Sequence, residues 1–291
     1  MYNAMRPIVL PAVSTFLLTG ICLSAAPSTP VVSQVHVVSV HVPDHAAFDA
    51  VFLLFRDVLR LPRVYGELST PSQADQRLYA GFSVGNAYLE PCGPYHNDAP
   101  FSADQRARFH GLTFSPGTSI ADAEQALGQR SIPYSGVMGS GDMPRFVYLN
   151  DPWLTGRHLA VSVWEIRDTN DHVNFGFLRS SLQEVNGGAL GVRNLEEVRV
   201  AAPGITNLVQ WGSFLSPAQH DGDLWSVGNG PALRFVPGDT LRLDSIVLRV
   251  DSLDKAKAAL SERNLVGKVT SDGVELDRAK TCGLRIVLRG R

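Results

Sequence analysis

The stretch QVHVVSVHVPDHAAFDAVFLLFRDVL, residues 34–59, decides the fold that the sequence predicts. Residues 34–42 form a β-branched run with the alternation of a strand, and Pro43 and Asp44 then end the strand and offer a helix cap. The apolar residues that follow recur at helical spacing; they are Phe48, Val51, Phe52, Phe55, Val58 and Leu59. We therefore expect a strand followed by an amphipathic helix that covers one face of a sheet.

This pair begins a unit that recurs along the chain. A short strand and a hairpin within residues 64–91 complete the order β-α-β-β-β, and similar orders begin at His110, Leu195 and Leu243. The result is four units of about 50 to 75 residues, and a self-similar period of this kind indicates a repeat architecture.

One short motif supports an internal duplication. Residues 84–90, VGNAYLE, resemble residues 227–234, VGNGPALR, at matching places in the first and third units. A hairpin turn rich in Gly and Asn also arises independently, but the matching positions favour a repeat.

The composition excludes several classes of protein. The chain has 291 residues, 44% of them hydrophobic and 19% charged, with a formal net charge of −2. This is too apolar for a disordered protein and lacks the basic field that a nucleic acid requires. Three cysteines provide neither a disulfide scaffold nor a C-x-x-C zinc site. We expect an apolar core and no nucleic-acid partner.

The N-terminal residues predict export. Residues 7–26 carry no charge, follow Arg6 and end in small residues, which is the order of a signal peptide. We assign residues 1–26 to this peptide and 27–32 to a spacer. The alternative is a membrane anchor, but polar residues dilute the apolar run and no basic cluster follows it. A periplasmic or secreted protein without stable membrane insertion is therefore expected. Its two remaining cysteines, Cys92 and Cys282, are interpreted as separate thiols, although pairing stays open.

A polar segment divides the four units into two pairs. It contains RDTNDH, residues 167–172, a predicted short helix FLRSSLQEV and the breaker Gly187-Gly188. We predict domain 1 over residues 33–166, a linker with a short helix over 167–190, and domain 2 over 191–291.

Three segments carry a resemblance to a known family: VVSVHVPD (37–44), GFSVGNAYLEP (81–91) and SIVLRVDSLDKAKAAL (245–260). The chain resembles the vicinal oxygen chelate superfamily, which includes glyoxalase I, extradiol dioxygenases and bleomycin-resistance proteins. The resemblance implies an α+β fold in which four βαβββ units form two tandem glyoxalase-like cupped half-barrel domains. It also implies that catalytic members hold one divalent metal ion in the cup, where it acts as a Lewis acid.

The first unit matches the ligand pattern that the resemblance implies only in part. The first-strand ligand position falls on Val37, and His36, one residue away, should face the other side of the sheet by strand alternation. Glu90 matches the last-strand carboxylate.

The second unit supplies two conditional ligands. His110 faces the cup only if Gly111 forms a bulge, and Glu165 lies close to the last-strand position. At most one divalent metal ion is therefore expected, in domain 1, with a conditional ligand set of Glu90, His110 and Glu165.

The equivalent positions in domain 2 do not form a metal centre. They hold Glu197, Ser245, Arg234 and Val287, and a cation beside an aliphatic residue cannot bind a metal ion. We expect domain 2 to be metal-free.

Further candidates come from residues in phase on the predicted strands. His41 suits proton transfer near neutral pH, so we predict His41 and Glu90 as catalytic residues; the alternative for His41 is a solvated position at a strand end. Val37, Ser39, Tyr88 and Trp164 are predicted to line a pocket, with core packing as the alternative for the aromatic residues.

Two functions remain open at this point. One is a glyoxalase-like lyase, isomerase or oxygenase that acts on a small oxygenated organic molecule in domain 1, and the other is a non-catalytic protein that binds or sequesters such a molecule. Fold alone does not choose between them. In a third interpretation domain 2 is a scaffold or a dimerisation partner, which leaves a homodimer open.

Overall fold

The structure is a computed structural model that describes residues 29–70, 76–95, 101, 105–140, 144–165, 175–271 and 273–290. The predicted signal peptide, the start of the spacer and the RDTNDH stretch lie outside these residues. In the described part of the chain, no helix has the length and apolar character needed to cross a membrane.

The first sheet contains eight strands in the order β2-β4-β5-β1-β6-β8-β7, with β3 paired to β5. Helix α1 continues as a π-helical turn over Leu54–Val58. The elements are β1 (Val32–His41), α1 (His45–Leu53), β2 (Arg63–Tyr65), β3 (Leu78–Tyr79), β4 (Gly81–Ser83), β5 (Tyr88–Gly93), β6 (Arg108–Pro116), α2 (Ile120–Gln129), β7 (Arg145–Tyr148) and β8 (Ala160–Glu165).

The second sheet repeats this arrangement in the order β10-β11-β12-β9-β13-β16-β15-β14. Its elements follow helix α3 (Phe175–Glu184) and are β9 (Val192–Ala202), α4 (Ile205–Leu215), β10 (Gln219–Asp221), β11 (Leu224–Ser226), β12 (Ala232–Pro237), β13 (Arg242–Val250), α5 (Leu253–Glu262), β14 (Val266–Thr270), β15 (Gly273–Leu276) and β16 (Ile286–Arg289). The predicted α+β fold of four repeated units in two cupped, open sheets is confirmed.

The helix caps follow the sequence closely. The Asp44 carboxylate accepts a hydrogen bond from the Ala47 backbone N–H at 2.7 Å, and Ser119 and Ser252 cap α2 and α5 in the same way. The segment IPYSGV at residues 132–137 forms no strand of its own and contributes a single bridge from Tyr134 to Leu149. Pro133 has no N–H to donate and Gly136 adopts a φ of +76°, so the pairing with the residues around β7 is irregular.

Bulges interrupt both sheets at corresponding places. Between β1 and β6 the register skips Ser33, His36 and His110, and between β9 and β13 it skips Arg193, Glu196 and Asp244. The skipped residues match in order and strand position, so the two halves share one backbone pattern down to its irregularities.

The Gly-Asn turns of the repeated motif pack reciprocally between the halves. The Asn86 amide donates to the Leu195 carbonyl and accepts from the Leu195 N–H, both at 3.0 Å. In the other direction, a Cβ on Gly228 would lie 2.1 Å from the Ser33 carbonyl oxygen. Each turn therefore lies against the start of the other half's first strand, which gives the motif a structural reason to recur.

One apolar core spans both sheets. Within it, Trp211 of α4 lies 6.5 Å from Phe114 of β6 and 5.3 Å from Phe235 of β12 between ring centroids. The limits 33–166 and 191–291 stay predictions, because the core does not divide at them. No disulfide joins Cys92 and Cys282.

Candidate functional site

Strand alternation gives the first sheet one apolar and one polar face. Val38, Leu89 and Leu112 join the core under the helices, whereas their neighbours along the same strands point to the open face. There they surround a cavity of about 350 Å³, lined by Ser39, His41, Arg77, Tyr79, Glu90, Cys92, Tyr95, His110, Gly111, Thr113, Tyr148, Ala160, Ser162 and Trp164.

Glu90 lies in the wall of this cavity, and two hydroxyl groups hold its carboxylate. Tyr65 donates to Oε1 at 2.5 Å and Ser39 donates to Oε2 at 3.1 Å. The parallel pairing of β1 with β5 places Ser39 directly beside Glu90. Burial raises the pKa of the Glu90 carboxyl, and the two hydrogen bonds oppose that rise without cancelling it.

Tyr65 was not predicted from the sequence, because β2 is short and gives no clear phase. Burial, followed by the charge of Glu90, raises the pKa of Tyr65 well above its usual value. Tyr65 therefore stays protonated and acts as a hydrogen-bond donor to Glu90.

His110 enters the cavity through a bulge in β6 whose extra residue is His110 itself, whereas the sequence had placed the bulge at Gly111. The register passes from Ser39↔Gly111 to Val40↔Phe109 and leaves His110 as the extra residue. Its ring stacks on His41 with centroids 3.9 Å apart and planes 22° apart.

The stack continues outward from His41. The Tyr95 ring lies 3.7 Å from His41 at an interplanar angle of 7°, and the Arg77 guanidinium lies 4.1 Å from the centre of Tyr95. His41 and Arg77 must contact opposite faces of Tyr95, since both could not occupy one face at these distances. A four-membered stack of Arg77, Tyr95, His41 and His110 thus forms part of the cavity.

The strands β6 and β8 supply neutral polar groups. Thr113 and Ser162 share a hydrogen bond at 3.0 Å between their hydroxyl oxygens. Trp164 lines the cavity as predicted, and its buried Nε1 has no hydrogen-bond partner among the described residues.

Two of the predicted pocket residues do not line the cavity. Val37 and Tyr88 face the same side as Glu90, but they pack with Leu178 of α3 in a small apolar cluster. The helix that we had placed in the linker covers this end of the open face.

His36 faces the open side, contrary to the expectation from strand alternation. The bulge at this residue turns its ring toward Tyr88, 5.1 Å away, and Phe175, 4.9 Å away. Its Nδ1 lies 3.2 Å from the Ser115 hydroxyl. Alternation failed here because one extra residue in a strand reverses the phase.

The prediction that Glu165 belongs to a ligand set is wrong. Its carboxylate accepts a hydrogen bond from the Ile120 N–H at the start of α2, at 3.0 Å, and lies 3.8 Å from Arg145. Glu165 follows Trp164 directly on β8, so the two side chains point to opposite faces. It stabilises a helix start on the outer side of the sheet.

The described residues do not fit a metal ion. No three His, Cys, Asp or Glu side chains in the described ranges are grouped to hold one. His41 and His110 present their ring faces to each other. Metal ligands must instead point their donor atoms at one centre.

The open face of the second sheet holds an ion-pair cluster. Arg234 on β12 lies directly across from Arg199 on β9 in the strand register. Glu90 and Ser39 are the corresponding neighbours in the first sheet. The Glu197 carboxylate accepts from Arg234 at 3.1 Å and from Arg289 at 2.7 Å. Burial alone would raise the pKa of Glu197, but these arginines hold it below its usual value.

The remaining lining residues were missed for a physical reason. Arg77, Tyr79, Tyr95 and Tyr148 come from loops, short strands or sheet edges, where no period assigns a face. Thr113 and Ser162 share the phase of Gly111 and Trp164, so the alternation could have found them.

The topology and the paired units define the fold of glyoxalase-like proteins, in the two-domain arrangement of extradiol dioxygenases. Homoprotocatechuate 2,3-dioxygenase from Brevibacterium fuscum, in complex with 3,4-dihydroxyphenylacetate, is similar with a TM-score of 0.58 and 13% identity over 92% of this chain and 82% of that one. The 2,3-dioxygenase LapB from Pseudomonas sp. KL28 gives 0.55 and 11% over 91% and 94%. No protein-family model and no curated protein matches the chain. At these identities the likeness shows the fold alone.

Proposed function

We propose that the protein binds a small hydroxylated aromatic molecule in the cavity of the first sheet. The volume of about 350 Å³ is at the lower end for small-molecule sites, which suits a single ring. Tyr79, Tyr148 and Trp164 provide flat apolar surfaces for it. The similarity to dioxygenases that act on aromatic diols supports the same ligand class.

The Glu90 carboxylate carries this proposal. A carboxylate offers about four acceptor positions, and Tyr65 and Ser39 use two of them. The others remain for a hydroxyl of the ligand. Burial makes the charged form of Glu90 unfavourable. A ligand hydroxyl that donates a hydrogen bond to this carboxylate offsets part of its desolvation cost.

A second candidate is acid–base catalysis on the bound molecule. It is favoured by the raised pKa of Glu90, which brings a carboxyl closer to the range useful for proton transfer near neutral pH. His41 lies in the same cavity. Glu90 would take a proton from the substrate and return it at another atom, as in an isomerase or a lyase, without a step through a metal ion.

Isothermal titration at pH 7 with a panel of monocyclic phenols and catechols tests the binding. We expect wild type to bind members of the panel and Glu90→Gln to bind them about tenfold more weakly, because one charged hydrogen bond is lost. Glu165→Gln is the matched control on the other face of the sheet and should keep wild-type affinity. Equal affinities for wild type and Glu90→Gln, or no binding by wild type, would refute the proposal.

Assays of the same ligands for conversion separate the two candidates. Substrate loss in wild type but not in Glu90→Gln indicates catalysis, whereas binding without conversion indicates a binding protein. Metal analysis of protein purified without chelator adds an independent check. A near-stoichiometric metal that disappears in Glu90→Ala would contradict the metal-free site.

A further inference from the structure

The cavity contains one basic side chain of the Lys or Arg type among its described lining residues, Arg77. This guanidinium makes no ion pair with any carboxylate in the described ranges. The arginines on the open face of the second sheet differ, since Arg234 and Arg289 both bind Glu197. Among the residues that the structure describes, the first cavity therefore has a cation without a counter-ion.

The stack fixes where this cation lies. Arg77 rests on the outer face of Tyr95, whose other face contacts His41. Its side chain also hydrogen-bonds to Tyr79, and a guanidinium over an aromatic ring keeps its further N–H donors on its edge. Those donors have the geometry that binds a carboxylate through two parallel hydrogen bonds.

The single carboxylate in the lining does not neutralise Arg77. Glu90 is the acidic residue among the described lining residues, and its oxygens bind Tyr65 and Ser39. The cavity thus has an acceptor group at Glu90 and a separate donor group at Arg77, with aromatic walls around both.

We infer that the ligand is an aromatic hydroxy acid, whose carboxylate binds Arg77 while its hydroxyl donates to Glu90. This inference rests on the proposed function and narrows its ligand class from phenols in general to those with an anionic group. A neutral phenol gives Arg77 no anionic partner and gains no charge interaction from it.

Titration with 4-hydroxybenzoate and its neutral analogue 4-hydroxybenzamide tests the inference. We expect wild type to prefer the carboxylate by about tenfold or more, and this preference should weaken as salt is raised. In Arg77→Gln it should fall to about twofold, and Arg77→Lys should retain part of it because the charge remains. Arg56→Gln removes an exposed arginine on the helix side of the sheet and should change nothing.

The possible results separate carboxylate binding by Arg77 from the binding of phenols in general. Equal binding of acid and amide by wild type, or an undiminished preference in Arg77→Gln, overturns this inference and leaves the proposed function intact. Failure of wild type to bind any phenol overturns both. Melting temperatures of all variants establish that each is folded before affinities are compared.

Discussion

Position 36 of β1 carries an imidazole inside the protein. Its Nδ1 lies beside Ser115, while its buried Nε2 has no hydrogen-bond partner among the described residues. Burial lowers the pKa of His36 from 6.5 to about 4. The folded protein therefore holds this ring neutral at a pH where the unfolded chain protonates it.

The depressed pKa predicts an acid-sensitive contribution to stability. Between pH 6.5 and 4 the unfolded chain binds the proton more readily, so this contribution is fully present above pH 6.5 and is lost as pH falls toward 4. The shift corresponds to roughly 3 kcal/mol. Urea unfolding over this range should show a steeper loss of stability for wild type than for His36→Leu.

The comparison needs a control because many carboxylates titrate in the same window. Val209→Ala changes an exposed side chain of α4 that does not titrate, and its pH dependence should parallel wild type. If His36→Leu also runs parallel to wild type, the buried ring does not contribute as described.

At the scale of elements, a bulge in β6 brings His110 to the cavity and Gly111 lets the strands approach. A Cβ on Gly111 would lie 3.0 Å from the Ser39 Cβ and 3.1 Å from its Oγ. Ser39 is the residue that donates to Glu90. The glycine thus gives room to a hydroxyl that holds the acidic group.

Gly111→Ala should therefore weaken ligand binding by roughly tenfold, since a displaced Ser39 loses its hydrogen bond to Glu90. Overpacking should also cost about 1–3 kcal/mol of stability. Gly128→Ala in α2 is the control, because its Cβ would meet nothing within 4 Å, and it should stabilise by about 0.5–1 kcal/mol. Wild-type affinity in Gly111→Ala would show that Ser39 does not act through this contact.

The positions of the strands and helices could be predicted from the sequence, but the orientation of some side chains on them could not. The strands, the helices and the caps at Asp44 and Ser119 follow from local patterns, because spacing and capping chemistry are encoded within a few residues. The faces of His36 and His110 do not, since a bulge depends on the partner strand and reverses the alternation. Glu165 was misplaced for the related reason that adjacent residues on a strand cannot share a face.

At the scale of the molecule, the halves are joined by their reciprocal turns and by a common core. The repeated motif could be recognised within the sequence, but its role in joining the halves could not. Contacts between residues more than a hundred positions apart leave no local signal. Arg77 and Tyr65 escaped notice for the same reason, because their roles depend on what the fold brings next to them.

Two glycines of equal conformation isolate the contact between the halves. Gly228 and Gly222 both adopt a φ of +58°, but a Cβ on Gly228 would lie 2.1 Å from the Ser33 carbonyl, whereas one on Gly222 would meet nothing within 4 Å. We expect Gly222→Ala to cost about 1 kcal/mol from backbone strain alone. Gly228→Ala should cost at least about 2 kcal/mol more. Thermal unfolding of the two variants measures the difference, and equal melting temperatures would contradict a close contact.

The reciprocal turns bear on how such a molecule could have arisen. Two copies of one ancestral half satisfy the same contacts as a symmetric pair, since each copy supplies one turn and one strand start. Once the copies are fused in one chain, only one of them has to keep the residues of a functional site. The carboxylate at position 90 and the guanidinium at position 234 then mark two different outcomes, with one half carrying the proposed ligand site and the other stabilised by its own charges.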